Sequence, residues 1–301
     1  MSRKGPTGPG GLIIVDKAGG MTSHDVVSKV RRLAKTRRVG HAGTLDPMAT
    51  GVLVIGVERS TKLLNHLVLT DKTYRATIRL GAATTTDDAE GDITTVADAS
   101  GLSLEQIVAV IERLSGAIMQ KPSSVSAIKV DGQRAYARVR AGEDVDLDAR
   151  PVSIDRFSLV GEPRRADGFC DLDVIIDCSS GTYVRALARD LGAELGVGGH
   201  LTALRRTRVG PFELGDALTL EALAELEDPI VLPLPAAIAV AMPIRQLTED
   251  EAAELSFGRT IAPAGISGTH GGIKAGGIAV ALLEESGGRS RPVLGFTPAG
   301  S

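Results

Sequence analysis

The chain is poor in the residues that announce a specialised chemistry. Of its 301 residues two are cysteines and three are tyrosines, and aromatic residues make up 3%. Cys170 and Cys178 lack the further Cys or His partners of a zinc site, so no metal centre is expected. Their even spacing places both on the strand face of Leu172, Val174 and Ile176, as reduced core thiols. No apolar run approaches the ~20 residues that cross a bilayer, and Met1–Gly10 is a Gly/Pro tail without the pattern of a signal peptide. A cytoplasmic location and a monomer are the expectations. With 43% apolar and 24% charged residues the composition is that of an ordinary globular protein, long enough for one large α/β or α+β domain plus a small one.

The formal net charge of −3 conceals a division. Pro211–Ser301 holds 5 basic and 12 acidic residues, whereas Met1–Gly210 holds 29 basic and 25 acidic ones. The basic residues of the first part are grouped, as a polyanion-binding protein requires. Lys29, Arg31, Arg32, Lys35, Arg37 and Arg38 form one cluster with no acid among them; Arg205, Arg206 and Arg208 form another behind His200. Lys129, Arg134, Arg138 and Arg140 run into the acidic segment Glu143–Asp148. One cluster alone describes a solvated face; three, two of them beside motif-like loops, point to a polyanion partner.

Between the first cluster and the apolar run Val52–Val57 lies Gly40-His41-Ala42-Gly43-Thr44-Leu45-Asp46-Pro47-Met48-Ala49-Thr50-Gly51. Small residues dominate, the backbone must turn tightly, and one carboxylate, Asp46, is held inside. An Asp-Pro pair by itself only starts a turn. The segment does not end in the Lys-Ser/Thr of a phosphate-binding loop, which argues against a nucleotide hydrolase.

In chain order, Leu12–Val15 reads as a strand, and Thr22 and Asp25 have capping-box spacing before Val26, Val27, Val30, Leu33 and Ala34 at helical period. This helix is expected to have a basic outer face and to deliver its positive end to the Asp46 loop. A helix over Ser60–Leu67, a strand over Asp71–Leu80, a loop over Gly81–Thr95 and a capped helix over Ser103–Ser115 follow. Strand-like sequence from Gln120 to Val130, a basic helix from Gly132 to Arg140, and strands over Val152–Val160 and Phe169–Cys178 come next. Ser179–Thr182 turns into a helix bearing Val184, Leu187, Ala188, Leu191 and Leu195, and Leu201–Val209 is a strand. Runs of strands with occasional helices predict an α+β domain with a mixed or antiparallel sheet. After a helix over Glu221–Leu226, the Pro-rich passage Pro229–Pro243 reads as a domain boundary. Beyond it lies a small β-rich module with one helix near Glu249–Leu255.

Several separate motifs in register carry a resemblance. Asp16-Lys17, Gly20 to Val27, Gly40 to Pro47, Lys72-Thr73-Tyr74, Ser126 to Gly132, Ser180-Gly181-Thr182-Tyr183-Val184-Arg185 and His200 to Thr207 resemble the TruB family of bacterial tRNA pseudouridine synthases, in family order and over about two thirds of the chain. Ala18 stands where that family commonly has proline, and Pro122-Ser123-Ser124-Val125 replaces a Pro-Pro pair followed by an aromatic.

The resemblance implies a pseudouridine-synthase-like catalytic domain over 11–230 after a flexible tail over 1–10, an RNA-clamping insertion at about 129–150, and a PUA-like module over 244–301. It implies isomerisation of the T-loop uridine of tRNA, uridine-55, with no cofactor and with the T-arm as partner. Breaking a glycosidic bond develops oxocarbenium character, which a carboxylate stabilises or attacks; by similarity that carboxylate is Asp46. Pattern alone places Tyr74 on the apolar face of its strand; by resemblance it stacks on the extruded uracil. By the same resemblance Tyr183 walls the uridine pocket, Arg185 pairs with Asp46 and orients it, His41 contacts RNA near the flipped nucleotide, and Leu204 lines the pocket. Lys62 is a weaker candidate for phosphate contact. Arg31, Arg32 and Lys35, with Lys129 and Arg134, are expected to hold the RNA backbone. The competing reading is a non-catalytic RNA-binding protein, which explains the basic clusters but not an acid placed beside them.

Overall fold

The computed structural model describes residue 8 and residues 10–123, 129–130, 133–134 and 147–297. Its strands are β1 (Gly11–Lys17), β2 (Val39–Ala42), β3 (Thr50–Val57), β4 (Lys72–Leu80), β5 (Ala82–Thr84), β6 (Ile93–Val96), β7 (Gly116–Gln120), β8 (Lys129–Val130), β9 (Gln133–Arg134), β10 (Arg150–Leu159), β11 (Arg164–Ala166), β12 (Phe169–Cys178), β13 (Gly199–Val209), β14 (Phe212–Glu213), β15 (Leu232–Pro233), β16 (Ile244–Leu247), β17 (His270–Lys274), β18 (Ile278–Ser286) and β19 (Arg289–Gly295). The helices are α1 (Ser23–Leu33), α2 (Leu64–Val68), α3 (Leu104–Arg113), α4 (Val184–Glu194), α5 (Leu220–Ala224), α6 (Leu234–Ala241) and α7 (Glu249–Ser256).

One mixed sheet organises the chain, in the order β15-β1-β3-β13-β4-β12-β10-β7. Its pairs are antiparallel apart from β3 and β13, which run parallel with Arg205 opposite Thr50 and Arg206 opposite Gly51. The alternation of β4 buries Tyr74, Ala76, Ile78 and Leu80 on one face. Those residues join Ile13, Val15, Leu53, Ile55, Leu172, Val174 and Ile176, under α1, α3 and α4, in the main core. Each fully buried aliphatic side chain there contributes roughly 1.5–3 kcal/mol of transfer free energy. Leu12, Ile14, Val52 and Val54 point to the opposite face, where α2, α6 and the C-terminal sheet (β16-β17-β18-β19) cover them. Beyond β13 that second face is polar. Thr73 bonds Asp177 at 2.5 Å, Thr77 bonds Asp173 at 2.7 Å, and Arg79 bonds Asp171 at 2.7 Å.

The predicted capping box is formed: the Thr22 side chain accepts from the Asp25 N–H and the Asp25 carboxylate accepts from the Thr22 N–H. The end of α1 that reaches the loop is the positive end of its dipole, not its basic last turn. Ser23, at the N-terminus of α1, accepts from the Leu45 N–H and donates to the Leu45 carbonyl, so that end meets the Asp46 loop. Arg31 and Arg32 lie in the last turn, about 12 Å of helix rise away.

Other boundaries also move. Ser60–Leu67 is not one helix; a 3₁₀ turn over Glu58–Lys62 precedes α2, and together they bury Leu63, Leu64 and Leu67. The loop expected over Gly81–Thr95 contains the β5–β6 pair, in keeping with its β-branched Thr, Ile and Val residues. Of the strand expected over Gln120–Val130, Gln120 instead ends β7, 121–123 are not strand and Lys129–Val130 is β8; 124–128 lie outside the described residues. Within the segment expected to be helical, Gln133–Arg134 pairs instead with Lys129–Val130; the remainder, with Arg138 and Arg140, lies outside the described residues. The Pro-rich passage is not a free linker. Leu232 pairs with Leu12 in β1, and α6, with Pro235 in its first turn, buries Leu234, Ala237 and Ile238 against β1, β17 and β18.

Candidate active site

The Asp46 loop is shaped by glycines where the backbone demands them. Gly43 has φ +80° and Gly51 φ +99°, and a Cβ on Gly51 would lie 2.1 Å from the Arg206 carbonyl oxygen. The loop is tied down from three sides. Gly20 N–H donates to Pro47 O at 2.8 Å, and the fully buried Lys17 ammonium donates to Met21 O (2.6 Å), Ala18 O (3.0 Å) and Pro47 O (3.2 Å). Arg206, 1% exposed, donates from Nε to Val52 O at 2.7 Å and from Nη2 to Gly43 O at 3.0 Å.

This framework presents Asp46 to α4. Arg185, in the first turn of α4 and 5% exposed as a side chain, places Nε 3.0 Å from Asp46 Oδ2. Its Nη1 donates to Thr86 O at 2.7 Å and stands 3.5 Å from Asp88 Oδ2. Asp88 is itself buried and fixed by the Thr86 hydroxyl (2.5 Å) and the Glu90 N–H (3.0 Å). A guanidinium held by two carboxylates and a carbonyl has one orientation, and Asp46 inherits it.

Asp46, Tyr74, Tyr183, Arg185 and Leu204 line one cavity of about 300 Å³, together with Lys72 and Arg206. Tyr74 comes from the buried face of β4 and Leu204 from β13; Tyr183 is the N-cap of α4. The Gln120 side chain clamps Tyr183: its Oε1 accepts from the Tyr183 N–H at 2.8 Å and its Nε2 donates to the Tyr183 carbonyl at 3.1 Å. Burial pushes the Tyr74 phenol up, with Arg206 acting against the shift. Burial takes the Lys72 ammonium down to about 8, helped by the Arg206 charge, and takes Lys17 down to about 8 against the pull of Asp46. Glu90 is raised by burial and by the neighbouring Asp88 and Asp46 charges.

Two of the expected site residues stand apart. His41, in β2, packs edge-to-face on His24 at 5.7 Å, and Lys62 donates to Gly295 O at 2.8 Å. Both line a second, wider cleft of about 790 Å³ with Arg37, Arg38, Arg59 and Phe296, at the contact with the C-terminal sheet. Arg31, Arg32 and Lys35 are exposed. Lys129 and Arg134 lie in β8 and β9, and the insertion they begin is largely outside the described residues.

The cluster Arg205-Arg206-Arg208 is not an open polyanion patch. Arg206 is internal, Arg205 pairs with Asp16 at 2.6 Å, and Arg208 bonds Thr73 and Gly210. Alternation puts Arg205 and Arg206 on different faces of β13, and the register shift between Arg206 and Arg208 turns Arg208 to the face of Thr73. Asp88, Gln120, Lys17 and Lys72 were not singled out from sequence. Lys17 and Lys72 sit inside the quoted motifs, so nearness to a motif was the available signal for them; Asp88 lay in a loop read only as Thr/Asp-rich, and Gln120 at the start of an ordinary strand.

Residues 31–184 match the TruB family pseudouridylate synthase N-terminal domain. The chain belongs to the TruB family. Residues 185–237 and 242–297 match two C-terminal segments described for the tRNA pseudouridine synthases of that family. TruB relatives named tRNA pseudouridine synthase B include that of Nocardia farcinica, 58% identical over 97% of this chain and 94% of the relative, and that of Rhodococcus jostii, 60% identical over 96% and 94%. The fold is shared with a chain in an H/ACA RNP bound to a substrate RNA containing 2′-deoxyuridine (TM-score 0.71, 22% identity, 96% of this chain and 86% of that one). It is also shared with a chain of the archaeal box H/ACA sRNP Nop10–Cbf5 complex (TM-score 0.70, 24% identity, 99% and 90%). The α+β reading with a mixed sheet and a C-terminal β-rich unit thus holds for this TruB chain.

Proposed function

We propose that the chain is a tRNA pseudouridine synthase that converts uridine-55 of the T-loop to pseudouridine, with Asp46 as the catalytic carboxylate. The observation that carries the reading is the Asp46–Arg185 pair at 3.0 Å in a cavity that Tyr74, Tyr183 and Leu204 also line. Relatives of 58–60% identity named tRNA pseudouridine synthase B support the substrate class. A uridine turned out of the T-loop stacks on Tyr74, with Tyr183 and Leu204 as walls. Asp46, oriented by Arg185, acts where the glycosidic bond breaks and electron deficiency develops on the sugar. The cavity retains the detached uracil until carbon replaces nitrogen at the anomeric position. Enclosure matters because water would otherwise capture the sugar. The chemistry calls for no cofactor.

The exposed Arg31, Arg32 and Lys35 contact phosphates of the T-arm, with Lys129 and Arg134 acting from the insertion. His41 and Lys62, in the adjacent cleft, contact RNA next to the flipped nucleotide. Residues 11–230 are the catalytic domain and 244–301 a PUA-like module, in a cytoplasmic monomer.

The decisive test is nucleoside analysis of an unmodified tRNA transcript treated with the protein in the presence of a chelator. Uridine-55 should become pseudouridine with no change in RNA mass. Asp46→Asn should abolish conversion while retaining tRNA binding. Conversion surviving that substitution would remove Asp46 from the mechanism, and binding without conversion by the wild type would favour the non-catalytic RNA-binding protein.

A further inference from the structure

The charges lining the cavity are not all paired. Arg185 is held by two carboxylates, Asp46 at 3.0 Å and Asp88 at 3.5 Å. Lys72 and Arg206, 7% and 1% exposed, line the same cavity, and neither forms an ion pair among the described residues. The Lys72 ammonium donates to backbone, to Val68 O at 2.9 Å and to Thr70 O; the Arg206 guanidinium donates to Val52 O and Gly43 O and also hydrogen-bonds the Tyr74 side chain, which is neutral. Nη1 of Arg206 is 3.3 Å from the point a Cβ on Gly43 would occupy. Two cations buried side by side without a counter-ion are costly. Burial, and after it the Arg206 charge, lower the Lys72 ammonium against the pull of Asp71. Such an arrangement is relieved by an anion arriving between them.

We propose that Lys72 and Arg206 form a cationic floor that stabilises the negative charge carried by the uracil ring while it is detached from the sugar. The inference rests on the pseudouridine synthase reading. The C1′–N1 bond breaks with its electron pair staying on N1, and the charge spreads over the ring and its two carbonyl oxygens. The ring turns, C5 supplies the pair that forms the C1′–C5 bond, C5 gives up its proton, and N1 ends with one. Atoms and charge are conserved. On this proposal the carboxylate serves the electron-poor sugar and the two cations serve the electron-rich base.

The test uses the full-length protein and two tRNA transcripts, one with uridine and one with 5-fluorouridine at the target position. Fluorine makes the detached ring a weaker base, so it depends less on outside stabilisation. The readout is the single-turnover rate of loss of the N-linked nucleoside at saturating enzyme, which only folded molecules set. Lys72→Met should lose about 100-fold on uridine and at most about 10-fold on 5-fluorouridine, in the range of one lost electrostatic donor. Lys72→Arg, which keeps the charge, should stay within about 10-fold on both. Equal losses on the two substrates, or a Lys72→Met rate on uridine within about threefold of wild type, would overturn the proposal. If Lys72→Met gives too little folded protein, Lys72→Gln is read by the same criteria. Absence of conversion by the wild type would instead overturn the functional reading itself.

Discussion

Gln120→Met should separate the clamp on Tyr183 from every other feature of the site. Gln120 is 2% exposed, at the end of β7, and its carboxamide reaches Tyr183, 63 residues later, with two hydrogen bonds. Methionine has nearly the same volume and no amide, so the cavity term of a truncation is avoided. The Tyr183 carbonyl also accepts the Leu187 N–H at 3.3 Å, the first bond of α4, so losing the Gln120 donor costs about 1 kcal/mol. The Tyr183 N–H, which is only part-buried, loses the acceptor that Gln120 supplies, at about 1 kcal/mol. The expected destabilisation is therefore about 2 kcal/mol, read as a shift in the urea midpoint without a change in slope. Because Tyr183 sets the entry into α4, and Arg185 follows two residues later, kcat/KM on tRNA should also fall, by about 100-fold for a displacement near 1 Å. A loss below about 0.5 kcal/mol together with wild-type kcat/KM would refute the idea that this clamp sets the wall of the cavity.

Gly51→Ala should destabilise by more than about 3 kcal/mol in the same titration, since φ is +99° and the new Cβ would meet the Arg206 carbonyl. A neutral result would mean that the β3–β13 contact is looser than its register indicates. Cys178, pushed up to about 11 by burial, should resist alkylation at pH 7 in the folded protein and react only on unfolding; rapid native labelling counted by mass spectrometry would contradict its burial. Glu251 is held below its ordinary 4.5 by the Thr248 N–H and by Arg245, so its contribution is present above that value and is lost as pH falls through its folded value. Glu251→Gln should accordingly flatten the fall in urea midpoint below pH 4.5, and an unchanged profile would exclude it as a contributor. Neutralising Arg31 and Arg32 should weaken tRNA binding and reduce its salt slope by about 2 if each meets a phosphate; an unchanged slope would remove α1 from the RNA face.

What was legible in the sequence followed from period and from motif. The two-residue alternation of Phe169–Cys178 reappears as β12 with the same bounds, and the Thr22 and Ser103 capping boxes start α1 and α3 where their spacing says. Asp46, Tyr74, Tyr183, Arg185 and Leu204, scattered over about 160 residues, converge because β3, β4 and β13 are neighbours in the sheet and α4 feeds directly into β13. What could not be read was the outcome of competition for acceptors. Arg205, Arg206 and Arg208 look alike in sequence; in the sheet Arg206 stands opposite the buried Tyr74 and bonds the Gly43 and Val52 carbonyls, whereas Arg205 stands opposite Arg75 and Arg208, past a register shift, opposite Thr73. A cluster of arginines in a strand therefore argues for RNA binding only after its strand has been shown to lack internal partners. Lys72 was missed for a related reason: two places before Tyr74 and on the same strand face, its charge distracts from the burial its position implies, and the sheet buries it beside Arg206. Charge that a linear reading assigns to the outer surface is here part of the cavity, which Lys72 and Arg206 line together with Asp46.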